Sequence, residues 1–439
     1  ENPWRDKNQK ELKNFLLETM RKQNCYKSLM KIHNDEKIVL EKLSVPHPMK
    51  VFSYRELIDT TMSSMDSLQY ALRFLHASLL AMDPHSGKVK AWVGDVDFNY
   101  WQYDKVVSKR QPGSTFKLFV YATALKNGRC SCDEMVDSAV TWLVHDGEKT
   151  TLWQPRNASG TFTNESVSLK TAFARSINSV PVQLTRIMTP DSIVRTAHDM
   201  GVDSPLKPIP SIALGAEDVS LLEMVGAYAG VVDEGRWHKP VLVTKITDRN
   251  GRVLYRNDGE EKQPLDIETA FLLRDMLQEG LRDERGTSHR LNSFPVVYET
   301  DFGGKTGTTS NYSDAWYMGV TPNLVAGVWV GGEYRCIHFR NGAMGQASRT
   351  ALPVYARFME YILNDRHLEK IYKGRFPSPN LKKINKPYDC DVMVEEKSGN
   401  PNFFERLFQR KKRSELRDSI KEEKKKARKE RREKRHERR

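Results

Sequence analysis

Arg110-Gln-Pro-Gly-Ser-Thr-Phe-Lys117 decides how this chain is read. Pro112 and Gly113 break the backbone just before Ser114, and a mostly apolar run then leads to Asn127 and Gly128. A run bounded this way predicts a helix over Ser114–Asn127 with Gly128 as its C-terminal cap. Residues three apart share a helix face, which puts Lys117 within reach of Ser114. The helix N-terminus turns its positive end toward Ser114 and favours a developing alkoxide there. The Ser-x-x-Lys spacing is weak by itself, since it recurs at Ser28–Lys31 and Ser204–Lys207. Ser28 lies inside a charged helical stretch, and Ser204 precedes Pro205 in a proline-rich loop. Neither has an apolar helix behind it.

A serine hydroxyl becomes a strong nucleophile only when a base removes its proton. Lys117 serves as that base when neutral, and burial, the helix N-terminus and a second nearby cation all lower its pKa. Two later segments supply the rest. Ser176-Ile-Asn178 offers a hydroxyl to relay a proton and an amide to hold both Lys117 and a substrate backbone. Gly304-Lys305-Thr-Gly-Thr308 offers Lys305, Thr306 and Thr308 for a substrate carboxylate. Gly303, Gly304 and Gly307 are expected to let a substrate backbone approach and add as an extra strand. The backbone N–H groups of Ser114 and Thr308 are the expected oxyanion hole. Imitations at Ser398–Asn400 and Lys397-Ser-Gly399 lack a following strand and run into a basic tail.

The surrounding pattern is α+β with an antiparallel sheet. Ser78–Asp83 and Val89–Val93 flank a turn at Pro84-His-Ser-Gly87 and predict a hairpin, as do Val241–Ile246 and Val253–Tyr255. Further strands are expected at Phe302–Thr309, Ala315–Val320 and Leu324–Val330, with Trp316 in the core. Helices are expected after Thr189-Pro190, from the capping box Ser220-Leu-Leu-Glu223, and over Asp266–Leu281. Trp153-Gln-Pro-Arg-Asn157 reads either as a cleft lining or as a structural loop.

The chain carries a formal charge of +13, but residues 406–439 alone hold 18 Lys/Arg against 7 Asp/Glu, a net of +11. The remainder is near neutral at +2 (13 − 11), so nucleic-acid binding by the whole surface is not implied. That tail is too polar to form a core and reads as disordered or as a solvated helix. The five cysteines, Cys25, Cys130, Cys132, Cys336 and Cys390, show no CxxC and read as isolated thiols. The histidines show no metal-ligand spacing. No run approaches 18 apolar residues.

Together these segments resemble the transpeptidase domain of bifunctional class A penicillin-binding proteins. Ser-x-x-Lys, Ser-x-Asn and Lys-Thr-Gly in this order form the signature of penicillin-binding proteins and serine β-lactamases. Leu80–Gly87, Ala91–Gly94, Ala213–Tyr228 and Lys305–Gly319 extend the likeness, and Glu1-Asn-Pro-Trp4 resembles the end of the family's glycosyltransferase domain. Gly94-Asp95 departs from the family's Gly-Gly. The resemblance implies a penicillin-binding protein / serine β-lactamase-like fold, with residues 1–45 the remnant of an upstream domain, 46–76 a linker and 77–365 the transpeptidase domain. Residues 366–405 become a C-terminal extension. It also implies a Ser114 acyl-enzyme formed on peptidoglycan stem peptides ending in D-alanyl-D-alanine, acylation by β-lactams, and no cofactor or metal. Cell-wall synthesis proteins are implied partners. The implied location is the outer face of the cytoplasmic membrane (periplasm), with an anchor upstream of residue 1. A D,D-carboxypeptidase and a serine β-lactamase share the three segments. A β-lactamase needs a water-activating base, and Glu217 lacks the Glu-x-x-Leu-Asn setting. The tail suggests a separate role in binding an anionic polymer or membrane surface.

Overall fold

Alternating residues in the central strands are apolar on both sides, so the sheet they form must be covered on both faces. The computed structural model describes residues 9–146, 149–380 and 382–390. The tail at 406–439, the imitations at 397–400 and the Glu1-Asn-Pro-Trp4 stretch lie outside the described residues. Five strands build the sheet: β1 (Leu75–Met82), β2 (Val89–Val93), β3 (Gly303–Thr308), β4 (Asp314–Val320) and β5 (Val325–Gly332). They pair antiparallel in the order β3-β4-β5-β1-β2, which makes β3, the Lys305 strand, an edge.

Successive residues serve different cores. Leu80, Met82, Trp316, Met318 and Trp329 join the larger core, while Leu79, Ala81, Tyr317, Val328 and Val330 join the smaller one. Helices α1 (Lys117–Lys126), α2 (Leu169–Ala174), α3 (Ser179–Met188), α4 (Leu221–Val232) and α5 (Ile267–Arg282) contribute to the larger core. Helix α6 (Ala351–Asn364) covers the other face. Every residue from Lys117 to Leu125 is buried, which explains why α1 is apolar all round. The capping box of α4 is complete, with Ser220 and Glu223 each accepting from the other's backbone N–H. Asp266 caps α5. The antiparallel, helix-flanked architecture is the one the sequence predicts.

Two segments differ from expectation. Residues 46–76 are more than a linker: His47–Val51 and Ile58–Met62 pair as a hairpin, and Ser64–Ala71 is a helix. Met65 and Leu68 of that helix pack on Met20, Tyr26, Val39 and Leu43, so the N-terminal helices have a small core of their own. The cysteines are not all isolated, because Cys132 and Cys390 form a disulfide across 258 residues of sequence. The bond forms because the segment after α6 folds back along the domain. There Arg274 donates to the Pro377 carbonyl and Lys386 to the Leu125 carbonyl. Cys25, Cys130 and Cys336 are free thiols. Among the described residues no helix is long and apolar enough to cross a membrane.

Candidate active site

The turn before α1 is tighter than the predicted helix. Gly113–Phe116 is a 3-10 turn, and the Lys117 N–H donates back to the Ser114 carbonyl. Residues three apart eclipse one another in a 3-10 turn, which aligns Ser114 with Lys117 more closely than an α-helix would. Ser114 is partly exposed, whereas Lys117 is fully buried.

Glycines let two backbones, this turn and β3, meet closely. Gly113 has φ of +53°, and a Cβ there would come within 2.8 Å of the Thr308 carbonyl oxygen. A Cβ on Gly307 would lie 2.2 Å from the Pro112 oxygen. The Thr308 backbone therefore packs against the residue preceding Ser114. The Trp316 indole, 1% exposed, donates to the Gln111 carbonyl at 2.8 Å and locks the turn from beneath. The expectation that Gly303, Gly304 and Gly307 make room for a substrate backbone is corrected by their neighbours. A Cβ would meet Leu277, the Tyr317 hydroxyl and Pro112 respectively, so these glycines serve internal packing. β3 is the edge strand of the sheet, so in the five-strand order only β4 pairs with it.

Ser176 ends α2. Its N–H bonds the Phe173 carbonyl and the Ile177 N–H bonds the Ala172 carbonyl, a Schellman closure. That motif puts its pivot residue in the left-handed region, and Ser176 has φ of +57°, where glycine is the usual occupant. The pivot delivers Ser176 and Asn178 to Lys117 Nζ. Lys117 Nζ donates to Asn178 Oδ1 at 2.7 Å, to the Ser176 and Ile177 carbonyls at 2.8 and 3.0 Å, and to Ser176 Oγ at 3.3 Å. Lys305 Nζ approaches the same hydroxyl from β3 at 2.9 Å and donates to the Thr306 carbonyl at 3.0 Å. Thr306 is buried, and Thr308 Oγ1 accepts from the Ala347 N–H.

One hydroxyl thus sits between two buried amines. Burial, then the charge of Lys305, holds Lys117 well below the usual lysine range. Burial lowers Lys305 to about 7. A neutral Lys117 beside Ser114 is a base, a Lys305 protonated on meeting an anion is a carboxylate anchor, and Ser176 Oγ can pass a proton between them.

Asn157 and Asp137 are residues of the site that the sequence leaves ambiguous or unmarked. Asn157 Oδ1 accepts from the Asn178 N–H at 2.8 Å, so the Trp153–Asn157 segment braces the Ser176 turn. The carboxylate of Glu217 accepts from the Lys207 N–H, away from this network. Among the described residues one group has metal-like spacing, His76, Asp95 and Glu333. Lys105 Nζ lies 2.6 Å from Glu333 and 3.9 Å from Asp95, so an ammonium already fills the place of a cation.

A partly exposed serine at a helix start, the buried lysine pair and the helix-flanked antiparallel sheet define the penicillin-binding protein / serine β-lactamase-like class of fold. Residues 77–332 match the family model "Penicillin binding protein transpeptidase domain", and residues 1–75 match "Penicillin-binding protein middle domain". The chain belongs to the penicillin-binding protein transpeptidase family. It is similar to penicillin-binding protein 2D of Bacillus subtilis, 34% identical over 255 residues, covering 57% of this chain and 36% of that protein. Similarity to penicillin-binding protein 1A of Aquifex aeolicus is 32% over 289 residues, covering 66% of this chain and 38% of that one. The chain therefore spans well under half the length of these curated relatives. Among solved structures, PonA1 from Mycobacterium tuberculosis in complex with penicillin V shares the fold. Its TM-score is 0.58 at 20% identity, over 84% of this chain and 98% of that one.

Proposed function

We propose that this chain is a peptidoglycan D,D-transpeptidase that cross-links stem peptides through a Ser114 acyl-enzyme. The observation that carries the reading is the bridge Lys117–Ser176–Lys305, with Ser176 Oγ 3.3 and 2.9 Å from the two Nζ atoms. Ser114 Oγ attacks the carbonyl of the penultimate D-alanine while its proton moves to neutral Lys117. The developing oxyanion sits against the Ser114 and Thr308 N–H groups. The C–N bond breaks, and the proton returns by way of Ser176 to the leaving amine of the last D-alanine. Lys305, with Thr306 and Thr308, holds the terminal carboxylate, and the substrate backbone pairs along β3 near Gly307. An amine from a second stem then attacks the ester, forms the cross-link and frees Ser114.

β-Lactams enter as mimics that acylate Ser114 without an amine product to release, in keeping with the penicillin V complex of PonA1. The Cys132–Cys390 disulfide suits an oxidising compartment, which supports a place at the outer face of the cytoplasmic membrane. The tail at 406–439, at +11, suits an anionic polymer or lipid surface. Incubation with a stem pentapeptide and an amine acceptor tests the reaction. Cross-linked product in excess of hydrolysed peptide is expected, and hydrolysed peptide alone identifies a D,D-carboxypeptidase.

A further inference from the structure

Helix α3 begins with an anomaly. Asn178 occupies its N-cap, where an Asn side chain normally accepts from the first free amides of the helix. Here it makes no such bond, because its Oδ1 is committed to Lys117 Nζ at 2.7 Å. The two amides that open the helix are capped from outside it: Asn157 Oδ1 accepts from the N–H of Asn178 at 2.8 Å and of Ser179 at 3.3 Å. The Asn178 Nδ2 group donates to the neighbouring Arg156 carbonyl at 2.8 Å, which fixes the amide so that its oxygen faces the lysine.

Asn157 is itself held by a carboxylate. Its Nδ2 donates to Asp137 Oδ1 and Oδ2 at 2.8 and 3.1 Å. Asp137 is 1% exposed and also accepts from Ser179 Oγ at 2.6 Å and from the Thr163 N–H at 3.0 Å. Burial pushes this carboxyl up, but the bonds from Ser179, Thr163 and Asn157 outweigh it and hold the group below the usual carboxylate range. A buried carboxylate with only neutral donors is costly to build unless it orders something. It orders a chain running from Asp137 through Asn157 to Asn178 and on to Lys117.

We propose that Asp137 and Asn157 are positioning residues for the acyl-transfer reaction, bracing the Asn178 and Ser179 amides so that the Asn178 side-chain oxygen is held where it aims Lys117 at Ser114. The proposal rests on the Ser114 acyl-enzyme reading above. Neither residue touches the reacting atoms; their effect passes through the Asn178 amide and the Ser176 turn.

The test is acylation of the full chain by a fluorescent penicillin, resolved into a dissociation constant and a saturating rate constant. Asn157→Ala is expected to slow the saturating rate about 10- to 100-fold, the scale of a small misplacement of a catalytic group, while the dissociation constant stays within about threefold, since no residue expected to hold the ligand is changed. Asn157→Asp is expected to be at least as slow, because it sets a second carboxylate against Asp137. The double variant Asp137→Asn/Asn157→Asp swaps donor and acceptor between the two positions while keeping an oxygen for the Asn178 N–H. It is expected to recover at least about tenfold over Asn157→Asp, the scale on which partners that support an active group act. A purely structural role would lower the melting temperature without separating rate from binding. A folded Asn157→Ala with the unaltered saturating rate overturns the proposal. If Asn157→Ala does not fold, the pair of Asp variants decides, and a double variant no better than the single one in folding or rate overturns it. If the unaltered chain takes no penicillin on Ser114, the acyl-enzyme reading falls instead.

Discussion

Ser176 carries two demands that a single substitution can separate. Its φ of +57° belongs to glycine, and its hydroxyl stands between Lys117 and Lys305. A side chain in the left-handed region costs about 1–2 kcal/mol relative to the right-handed one, and glycine escapes most of that. Ser176→Ala removes the hydroxyl but keeps the backbone strain. Lys117 retains its three other acceptors and Lys305 retains the Thr306 carbonyl, so the lost bonds cost about 1 kcal/mol. Ser176→Gly loses the same bonds but relieves the strain, and after the larger entropy of an unfolded glycine it should exceed Ser176→Ala in stability by about 1 kcal/mol. In a domain of this size that corresponds to roughly 2–4 °C in melting temperature. Acylation by penicillin should fall about 100-fold or more in both, the usual scale for a positioned proton-transfer group. Thermal melts paired with acylation rates read both quantities. An alanine variant as stable as the glycine variant refutes the strain argument, and near-normal acylation in either refutes the proton relay.

Other perturbations have equally defined outcomes. Burial depresses both lysines in the folded state, Lys305 to about 7, against about 10.4 in the unfolded chain. The unfolded state therefore binds more protons between those values, and stability should rise from pH 7 to pH 9. Urea titrations should show a smaller rise in Lys305→Gln; the buried tyrosines, whose pKa values are raised, add the opposite trend only above about pH 10. Gly307→Ala would put a methyl 2.2 Å from the Pro112 oxygen and force β3 from the Ser114 turn. A loss of about 1–3 kcal/mol by denaturant titration, with slowed acylation, is expected. Cys132→Ser should cost about 2–4 kcal/mol and abolish the effect of reductant on the melting temperature. It should leave acylation intact, because the segment bound by this disulfide meets α1 at Leu125, the end opposite Ser114.

Much of the site is visible in local pattern, because its chemistry sits on elements whose periodicity is local. The α1 run, the Pro-Gly break and the strand before Lys305 place Ser114, Lys117 and Lys305 within a residue or two of their observed settings. The hairpin of β1 and β2 and the strands β4 and β5 are legible for the same reason. What the sequence hides is long-range. Nothing near Cys132 marks Cys390, 258 residues away, since the pairing depends on a segment folding back over α5. Asp137 and Asn157 are 20 residues apart and meet Asn178 only through tertiary packing. Gly303 and Gly304 look like space for a ligand, and only the positions of Leu277 and Tyr317 show that the space is already filled. The hairpin at 47–62 was obscured by Pro46 and Pro48, which read as linker residues although an edge strand accommodates proline.

The claim on which the rest depends is that Ser114 is the residue acylated. Mass spectrometry of the full chain after incubation with penicillin, followed by peptide mapping, measures it directly. One adduct per chain is expected, located on the peptide carrying Ser114 and absent from Ser114→Ala. An adduct on any other residue, or one that persists in Ser114→Ala, contradicts it.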